Sequence, residues 1–366
     1  VAVASNIGGR YSIARHNGWQ LTFSAVGYVS KVVDVTAKTP SKLIVKLKPD
    51  NKMLKEVTVR TKKKKYSRKN NPAVELMRKV IDRKKKTDLD NRDFYQYNKY
   101  QKITLAMNDI TADTLNSPRF KNRPWLKDQI EKCQYNNKLI LPISVDETVT
   151  QKIYRKDPHN EKSIVKGQNS SGVNDLFQTG DILTTILKDV FTDVNIYDDQ
   201  VRLLQYPFTS PIGKNAIGFY RFYIEDTLYL DKDKCIHLHF LPNNQQDFGF
   251  RGDIYILDDS SYQVKRCELF IPKKSDVNFV ENLTVLQEFT QLPDSSWVLT
   301  TDDMVAELKL ASWIQRAIVI RTTRMSDYAF DPLPKQLFKG KAREVKEADA
   351  MMRDEAFWNQ YRQVHL

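Results

Sequence analysis

Long stretches of alternating apolar and polar residues in the second half of the chain constrain its fold most strongly. Between Tyr220 and Met325, apolar residues occupy every second position over many short runs, as in strands with one buried face. Polar turns at 231–234 and 258–261 join successive runs. The predicted strands are Tyr220–Ile224, Ile236–Phe240, Arg251–Leu257, Val264–Phe270, Leu283–Phe289, Trp297–Leu310 and Ile314–Met325. Strands this long predict one strongly curved antiparallel sheet with helices packed against its concave face.

Composition divides the chain into four predicted regions. Residues 1–60 show short alternating runs separated by turns, which predicts a small β-sandwich with an incomplete first strand. One of its strands is predicted at Leu43–Leu47. The predicted core surrounds Phe23, Val33, Val45 and Leu47. Residues 61–92 are a basic linker and helix, and residues 93–330 form the sheet domain with an amphipathic helix at 181–191. Residues 331–366 are a C-terminal tail or helix. The predicted fold class is mainly β with α+β elements.

The net charge of the chain is concentrated in one segment. Residues 60–86 contain 13 Lys or Arg and two acids, which accounts for +11 of the net charge of +13. The second half of this segment predicts a helix, because Asn71 and Pro72 suit an N-terminus and Val74, Met77 and Val80 share one face. The candidate residues for binding an anionic surface are Lys62, Lys63, Lys64, Lys65, Arg68, Lys69, Arg83, Lys84, Lys85 and Lys86.

Three interpretations of the basic segment remain open at this point. Lys and Arg side chains are attracted to anionic lipid head groups or to an acidic protein partner. A solvated linker extended by its own charge is the second interpretation. Nucleic-acid binding is disfavoured, because only Tyr66 interrupts the basic run and no recognition motif accompanies it.

The sequence contains little that indicates catalysis or a cofactor. No nucleophile elbow, zinc-protease helix, phosphate-binding loop or dinucleotide-binding glycine pattern is present. Asp157, His159 and Glu161 occupy a region that predicts a turn and not an acid–base site. We therefore expect neither a catalytic site nor a cofactor.

Cys235, His237 and His239 alternate along one predicted strand, which would place them on one face. Such a face could start a metal site, but neighbours on it are about 7 Å apart and further ligands would be needed. We therefore predict a solvated polar face without metal. A disulfide between Cys235 and Cys267 is disfavoured, because a strand at Arg251–Leu257 would separate them. No apolar run reaches the roughly 18 residues of a membrane-spanning helix.

The N-terminal text resembles a known module. The runs GGRYSIARHNGWQLTFSAVGYVSKVVDV and KLIVKLKPDNKMLKEVTV are similar to the carboxypeptidase-regulatory-like module, a transthyretin-like β-sandwich at the front of many Gram-negative outer-membrane proteins. The resemblance implies a module without catalytic function.

The text that follows resembles a family of outer-membrane proteins of unknown function. The run YSRKNNPAVELMRKVIDRKKKTDLDNRDFYQYNKYQKI and the later motifs Asp146-Glu147-Thr148, Ser170-Ser171-Gly172, Asn195-Ile196-Tyr197-Asp198 and Ser210-Pro211-Ile212 occur in the expected order. In that family the C-terminal half is predicted to be a transmembrane β-barrel. The resemblance implies a periplasmic location at the outer membrane, with a barrel expected to follow Phe357–Arg362.

The predicted sheet resembles in architecture the open half-barrels of periplasmic lipoprotein carriers. Three functions are therefore considered: a non-enzymatic periplasmic region of a barrel protein that acts in recruitment, assembly or envelope biogenesis; a lipid- or lipoprotein-binding half-barrel; and a hydrolase with a site assembled from scattered residues. The hydrolase would show a pocket with at least two titratable groups of mutually shifted pKa. The candidate apolar ligand face comprises Tyr220, Phe222, Tyr223, Phe248 and Phe250.

Overall fold

The computed structural model describes residues 11–23, 28–29, 31–49, 66–172, 192–203, 206–244, 246–272, 280–309 and 315–363. The predicted helix at 181–191 lies outside these residues. The helices are α1 (Pro72–Thr87), α2 (Ala112–Asn116), α3 (Pro118–Lys121), α4 (Ala216–Phe219) and α5 (Glu355–Gln363), with 3-10 turns at Leu89–Asn91, Pro124–Gln129 and Lys335–Phe338.

The first four strands are short, and most of the later ones are long. They are β1 (Gln20–Phe23), β2 (Tyr28–Val29), β3 (Lys31–Asp34), β4 (Lys48–Pro49), β5 (Phe94–Met107), β6 (Glu131–Lys132), β7 (Leu139–Arg155), β8 (Asn160–Gly172) and β9 (Gln200–Leu203). The remaining strands are β10 (Tyr206–Thr209), β11 (Tyr220–Leu230), β12 (Asp233–Pro242), β13 (Arg251–Leu257), β14 (Val264–Pro272), β15 (Val280–Gln291), β16 (Trp297–Lys309), β17 (Arg316–Ala329) and β18 (Glu344–Lys346).

Twelve of these strands form one open sheet. Its order is β11-β12-β13-β14-β15-β16-β17-β5-β7-β8-β18, with β6 paired to β7. Neighbouring strands are antiparallel, except that β18 runs parallel to β8. The two ends of this order, β11 and β18, do not pair, so the sheet does not close. The predicted mainly β fold with a large, curved, unclosed sheet is confirmed.

The meander from β11 to β17 follows the predicted strands and turns. Each strand pairs with the next in the chain, and β17 then pairs with β5, which returns from the start of the domain. Alternation of apolar residues gives this meander two distinct faces. One face contributes to the main core, which includes Phe240, Ile254, Leu269, Val285 and Val319.

The main core is completed by a layer of helix and irregular chain. Helix α1, residues 108–130 and residues 192–219 contribute buried side chains to it, among them Met77, Phe120, Ile196 and Phe208. On the opposite face of the sheet, α5 packs Trp358 against the strands β5, β7 and β8. We call the layer on the main core the covering layer.

The described N-terminal residues form two separate strand pairs. Strand β1 pairs with β3, and β2 pairs with β4. The predicted strand at Leu43–Leu47 is wrong: its side chains alternate in exposure, with Ile44 78% exposed, but its backbone pairs with no other described strand. The ladder there begins at Lys48. The complete β-sandwich stays a prediction.

Candidate functional site

Helix α1 covers the apolar face of the sheet. Its N-terminus is capped as predicted, because the Asn71 side chain accepts a hydrogen bond from the backbone N–H of Ala73 at 3.0 Å and Pro72 follows it. Met77 and Val80 belong to the main core and are buried. The predicted apolar stripe therefore docks on the sheet.

Polar contacts fasten both ends of α1 to the rest of the covering layer. Before the helix, the Arg68 guanidinium donates to the carbonyl oxygens of Ile217 and Gly218 at 2.9 and 2.8 Å. Near its end, the Lys84 ammonium lies 3.0 Å from Oδ1 of Asp199. The covering layer is thus one connected structure.

Lys84 does not belong to an anion-binding surface, which corrects the prediction. It follows Met77 and Val80 by seven and four positions, so it shares their buried face and is only 8% exposed. Its partner Asp199 has its pKa lowered to about 2, first by the backbone N–H of Lys214 and also by Lys84. Lys84 stabilises the covering layer.

The other basic candidates divide into two groups. Arg68, Lys69, Arg83, Lys85 and Lys86 are exposed, although Arg68 is also held by the carbonyl oxygens described above. The four lysines at 62–65 lie outside the described residues. Binding of an anionic surface by these residues stays a prediction.

The five aromatic side chains predicted as a ligand face do not share one. Tyr220, Phe222 and Phe250 are fully buried in the main core. Tyr223 lies on the opposite side of the strand from Phe222, because side chains alternate, and its ring packs on Tyr66 at 5.4 Å. Phe248 is 40% exposed in the loop before β13. These residues pack the protein interior and its edge.

A layer of buried polar side chains crosses the same sheet face as the main core. Arg321 is fully buried, and its guanidinium lies 3.1 Å from Oδ2 of Asp302, which is 1% exposed. The Lys99 ammonium lies 2.6 Å from Oδ1 of Asp193. Gln287 donates to the carbonyl oxygen of Val194 at 2.7 Å.

Beyond this polar layer lies a cavity of about 250 Å³, which we call the aromatic–acidic cavity. Five of its lining residues are acidic and six are aromatic. The acids are Asp88, Asp90, Glu161, Asp193 and Asp302, and the aromatics are Tyr95, Tyr97, Tyr197, Phe289, Trp297 and Tyr328. Gln287 also lines it.

Titratable groups in this cavity have shifted pKa values. Burial raises the pKa of Asp302, and Arg321 only partly opposes this. Burial would also raise the pKa of Asp193, but the charge and hydrogen bond of Lys99 lower it. Burial and then the Asp90 carboxylate raise the pKa of the Tyr95 phenol, so Tyr95 is neutral at ordinary pH. Tyr95 donates a hydrogen bond to Oδ1 of Asp90 at 3.3 Å.

A second, larger cavity of about 710 Å³ lies at the other end of β5, and we call it the strand-end cavity. Met107, Ile110 and Phe120 line it, and Ile110 and Phe120 are buried. Arg119 and Arg316 also line it, and Arg316 forms an ion pair with Asp109. Tyr95 and Met107 are twelve positions apart along β5, so these two lining residues lie roughly 40 Å apart at opposite ends of the strand.

His237 and His239 form an ion-pair cluster and not a solvated face, which corrects the prediction. Nε2 of His237 lies 2.7 Å from Oδ1 of Asp253, and its Nδ1 lies 2.9 Å from Oδ1 of Asp226. His239 is 4% exposed, with Nδ1 3.4 Å from the same Asp253 oxygen. The two histidines do share a face, as the alternation predicted, and their partners come from β11 and β13.

Three further sequence predictions concern individual side chains. Cys133, Cys235 and Cys267 are free and buried, and β13 (Arg251–Leu257) separates the last two as predicted. Asp157 and His159 lie in the turn between β7 and β8 as predicted. Glu161 instead lies in β8 and lines the aromatic–acidic cavity.

Neither a metal-binding cluster nor a membrane-spanning helix occurs in the part of the chain that the structure describes. There, no group of three His, Cys, Asp or Glu side chains is placed to hold a metal ion. No helix within the same residues is long and apolar enough to cross a membrane.

The chain belongs to the family of unknown function DUF5686, whose family model matches residues 76–317. No curated protein sequence matches the chain.

Three solved structures are similar to it at low identity. A DUF1329 family protein from Desulfovibrio piger has 10% identity and a TM-score of 0.29, with 74% of this chain and 98% of that chain covered. A LolA superfamily protein from Nitrosomonas europaea has 10% identity and a TM-score of 0.28, with 72% and 97% covered. Lipoprotein LppX from Mycobacterium tuberculosis has 7% identity and a TM-score of 0.21, with 71% and 96% covered. At such TM-scores, no ligand of these proteins is transferred to this chain.

Neither the two cavities nor the polar layer was predicted from the sequence, although one signal for the layer is present. Asp302 falls in phase with the core positions Met304 and Ala306, and Arg321 falls in phase with Val319. A charged residue at a core position of each of two neighbouring strands predicts a buried ion pair. The cavities depend on residues distant in sequence and carry no comparable local signal.

Proposed function

We propose that this chain is a periplasmic protein that binds the acyl chains of a lipid or lipoprotein at the strand-end cavity. The observation that supports this most is the cavity itself, about 710 Å³ in volume, at the end of an open sheet. This volume falls within the roughly 300–1,000 Å³ typical of ligand pockets. Met107, Ile110 and Phe120 supply apolar surface for an acyl chain.

The polar part of the same cavity suits an amphipathic ligand. Arg119 and Arg316 line it together with Asp109, the ion-pair partner of Arg316, so the lining carries a net charge of +1. Hydroxyl side chains of α2 and its surroundings, Thr111, Thr114 and Ser117, also line it. A lipid presents an apolar chain next to a polar or anionic head group. Apolar and cationic lining in one cavity is therefore complementary to such a molecule.

We further propose that the chain acts without catalysis. A hydrolase was expected to have two titratable groups of mutually shifted pKa in one pocket. Asp193 and Asp302 are two such groups, since the pKa of the first is lowered and that of the second is raised. Each shift has a structural cause: Asp302 is buried and paired with Arg321, and Asp193, which is exposed at one side, is paired with the buried Lys99. No Ser, Cys or His is among the residues described as lining that cavity. The pKa shifts of Asp193 and Asp302 therefore favour a binding site over a hydrolase site.

The finer context follows from the sequence resemblances alone. We propose that residues 1–60 form the carboxypeptidase-regulatory-like sandwich and that the protein lies on the periplasmic side of the outer membrane, joined to a membrane barrel. In this context, we propose that the binding site serves recruitment or assembly in the envelope. Acidic partners or anionic head groups are the expected partners of the exposed basic residues.

The proposal is tested by displacement of a fluorescent fatty acid. Met107→Arg places a charge in the apolar part of the strand-end cavity, and burial of a charge in apolar surroundings is costly. We expect it to weaken binding by at least about tenfold, which corresponds to 1.4 kcal/mol. Met351, which is 66% exposed, provides the matched control Met351→Arg. Equal binding by both variants and the wild type, at equal Tm, would contradict the proposal.

A further inference from the structure

The aromatic–acidic cavity has a floor with two unsatisfied hydrogen-bond acceptors. Oδ1 of Asp302 and Oε1 of Gln287 are buried and have no hydrogen-bond partner among the described residues. Both residues are 1% exposed and line the cavity. Buried polar atoms are nearly always paired in folded proteins, so two unpaired acceptors beside one cavity point to a donor that is absent here.

The negative charge of the cavity indicates that the missing hydrogen-bond donor is a cation. Two of its five carboxylates are neutralised by Lys99 and Arg321. The other three, Asp88, Asp90 and Glu161, form no ion pair within the described part of the chain. Asp90, Glu161 and Asp193 are exposed at the mouth, whereas Asp302 lies at the floor. A cation is thus attracted at the entrance and finds acceptors at depth.

The walls suit an organic cation better than a hydrated metal ion. The rings of Tyr97 and Tyr328 stack at 4.8 Å, and Tyr95 lies next to Tyr97 at 6.2 Å. Tyr197 and Phe289 meet edge to face on the same lining at 5.8 Å. Aromatic faces attract ammonium groups through the ring quadrupole.

We propose that the aromatic–acidic cavity binds a primary ammonium group. A primary ammonium has three N–H donors, enough to reach both Asp302 and Gln287, and its alkyl carbon packs against the aromatic walls. A quaternary ammonium has no N–H donor and leaves both acceptors unsatisfied. The volume of about 250 Å³ fits a small amine or an ethanolamine head group.

Binding is tested with the full chain and with three small ligands of the same number of heavy atoms: butylammonium, tetramethylammonium and neutral butanol. Trp297 is one of five tryptophans and lines the cavity, so the fluorescence change that is lost in Trp297→Phe reports occupancy. We expect butylammonium to bind, tetramethylammonium to bind at least about tenfold more weakly, and butanol not to bind at millimolar concentration. Equal affinity for butylammonium and butanol, or no binding of butylammonium, would overturn the proposal.

Variants locate the site. Asp90→Asn with Glu161→Gln removes two exposed charges from the mouth and keeps an amide oxygen that can accept from Tyr95, so we expect an unchanged Tm. We expect severalfold weaker binding with a reduced salt dependence. Asp294→Asn removes an exposed acid that lies outside the cavity and is the matched control. Gln287→Leu, checked for an unchanged fold by circular dichroism, removes a floor acceptor and should reduce the preference for butylammonium over tetramethylammonium. Unchanged affinity and selectivity in both cavity variants would place the ammonium elsewhere.

The source of the ammonium group is distinguished by a second comparison. Phosphatidylethanolamine and phosphatidylcholine vesicles of the same charge present a primary and a quaternary ammonium on the same lipid scaffold. Preferential, Asp90- and Glu161-dependent binding to the first identifies a lipid head group, whereas binding of butylammonium without vesicle preference identifies a free amine. This site is independent of the strand-end cavity, so Met107→Arg should leave butylammonium binding unchanged.

Discussion

At the residue scale, the clearest electrostatic interaction is within the cluster of His237, His239 and Asp253. Burial would raise the pKa of Asp253, but hydrogen bonds from the two histidines lower it to about 2. Burial would lower the pKa of His237, but Asp253 and Asp226 raise it above its ordinary value. The folded state therefore favours the ionised carboxylate of Asp253 and the protonated imidazole of His237.

This cluster predicts a specific dependence of stability on pH. Because the folded pKa of His237 lies above the unfolded value of about 6.5, its contribution is complete below that pH and is lost as pH rises through the folded pKa. We expect the Tm of the wild type to exceed that of His237→Gln most at pH 5 to 6 and the difference to shrink by pH 9. A difference that stays constant over this range in thermal denaturation would show that the ion pair does not contribute.

Individual residues were predictable from sequence where local periodicity decided their position. The alternation of Cys235, His237 and His239 placed them on one face correctly, but their exposure was wrong, since it depends on Asp226 and Asp253 from neighbouring strands. The predicted exposure of Lys84 was wrong, because its helical spacing of four residues from Val80 places it on the buried face despite its charge.

At the element scale, helix α5 depends on a glycine in the strand beneath it. A methyl group at Gly167 would overlap the ring of Phe357 and lie 3.3 Å from the ring of Trp358. The helix is also held by the Arg362 guanidinium, which donates to Oε1 of Glu147 at 2.8 Å. Close approach of the helix to β8 therefore requires the absence of a side chain at position 167.

We predict that Gly167→Ala loosens α5 by about 1–3 kcal/mol, the usual cost of overpacking. The expected result is faster tryptic cleavage after Arg362 and Arg353, with the far-UV circular dichroism of the sheet unchanged. Gly218→Ala is the control, because a methyl group there meets no atom within 4 Å. Equal cleavage rates in the two variants would contradict this account of α5 docking.

The basic segment before α1 gives a second prediction at this scale. If the basic segment binds anionic head groups, co-sedimentation with anionic liposomes weakens with salt, because the screening length shortens from about 10 Å at 0.1 M to about 3 Å at 1 M. Changing Lys62, Lys63, Lys64 and Lys65 together to Glu should abolish most of this binding at low salt. Lys84→Met should not, since Lys84 is buried. Equal sedimentation of the wild type and the Glu variant would favour a solvated linker.

Elements of regular structure were largely predictable and irregular chain was not. Apolar residues recur with a period of 2 in the strands from β11 to β17 and with a period of 3.6 in helix α1, so both kinds of element are predictable from sequence. The segments 108–130 and 192–219 have no such period, and they contribute much of the covering layer. Their position is set by packing against distant strands, which a single sequence does not encode locally.

At the scale of the whole molecule, the open sheet has two different ends. The strand-end cavity lies near Met107 and Arg316, and the aromatic–acidic cavity lies near Tyr95 and Tyr328, at opposite ends of the paired strands β5 and β17. A packed core and a buried polar layer separate them. This arrangement gives one chain two chemically distinct sites, one apolar and cationic, the other aromatic and acidic.

The most direct test of the central claim is native mass spectrometry of the protein purified from bacterial envelopes. If the strand-end cavity binds acyl chains, the wild type and Met351→Arg should retain an adduct with the mass of a lipid or an acylated peptide, and Met107→Arg should lose it. Repeated absence of any such adduct from the wild type, or an equal adduct on Met107→Arg, would contradict lipid binding at this site.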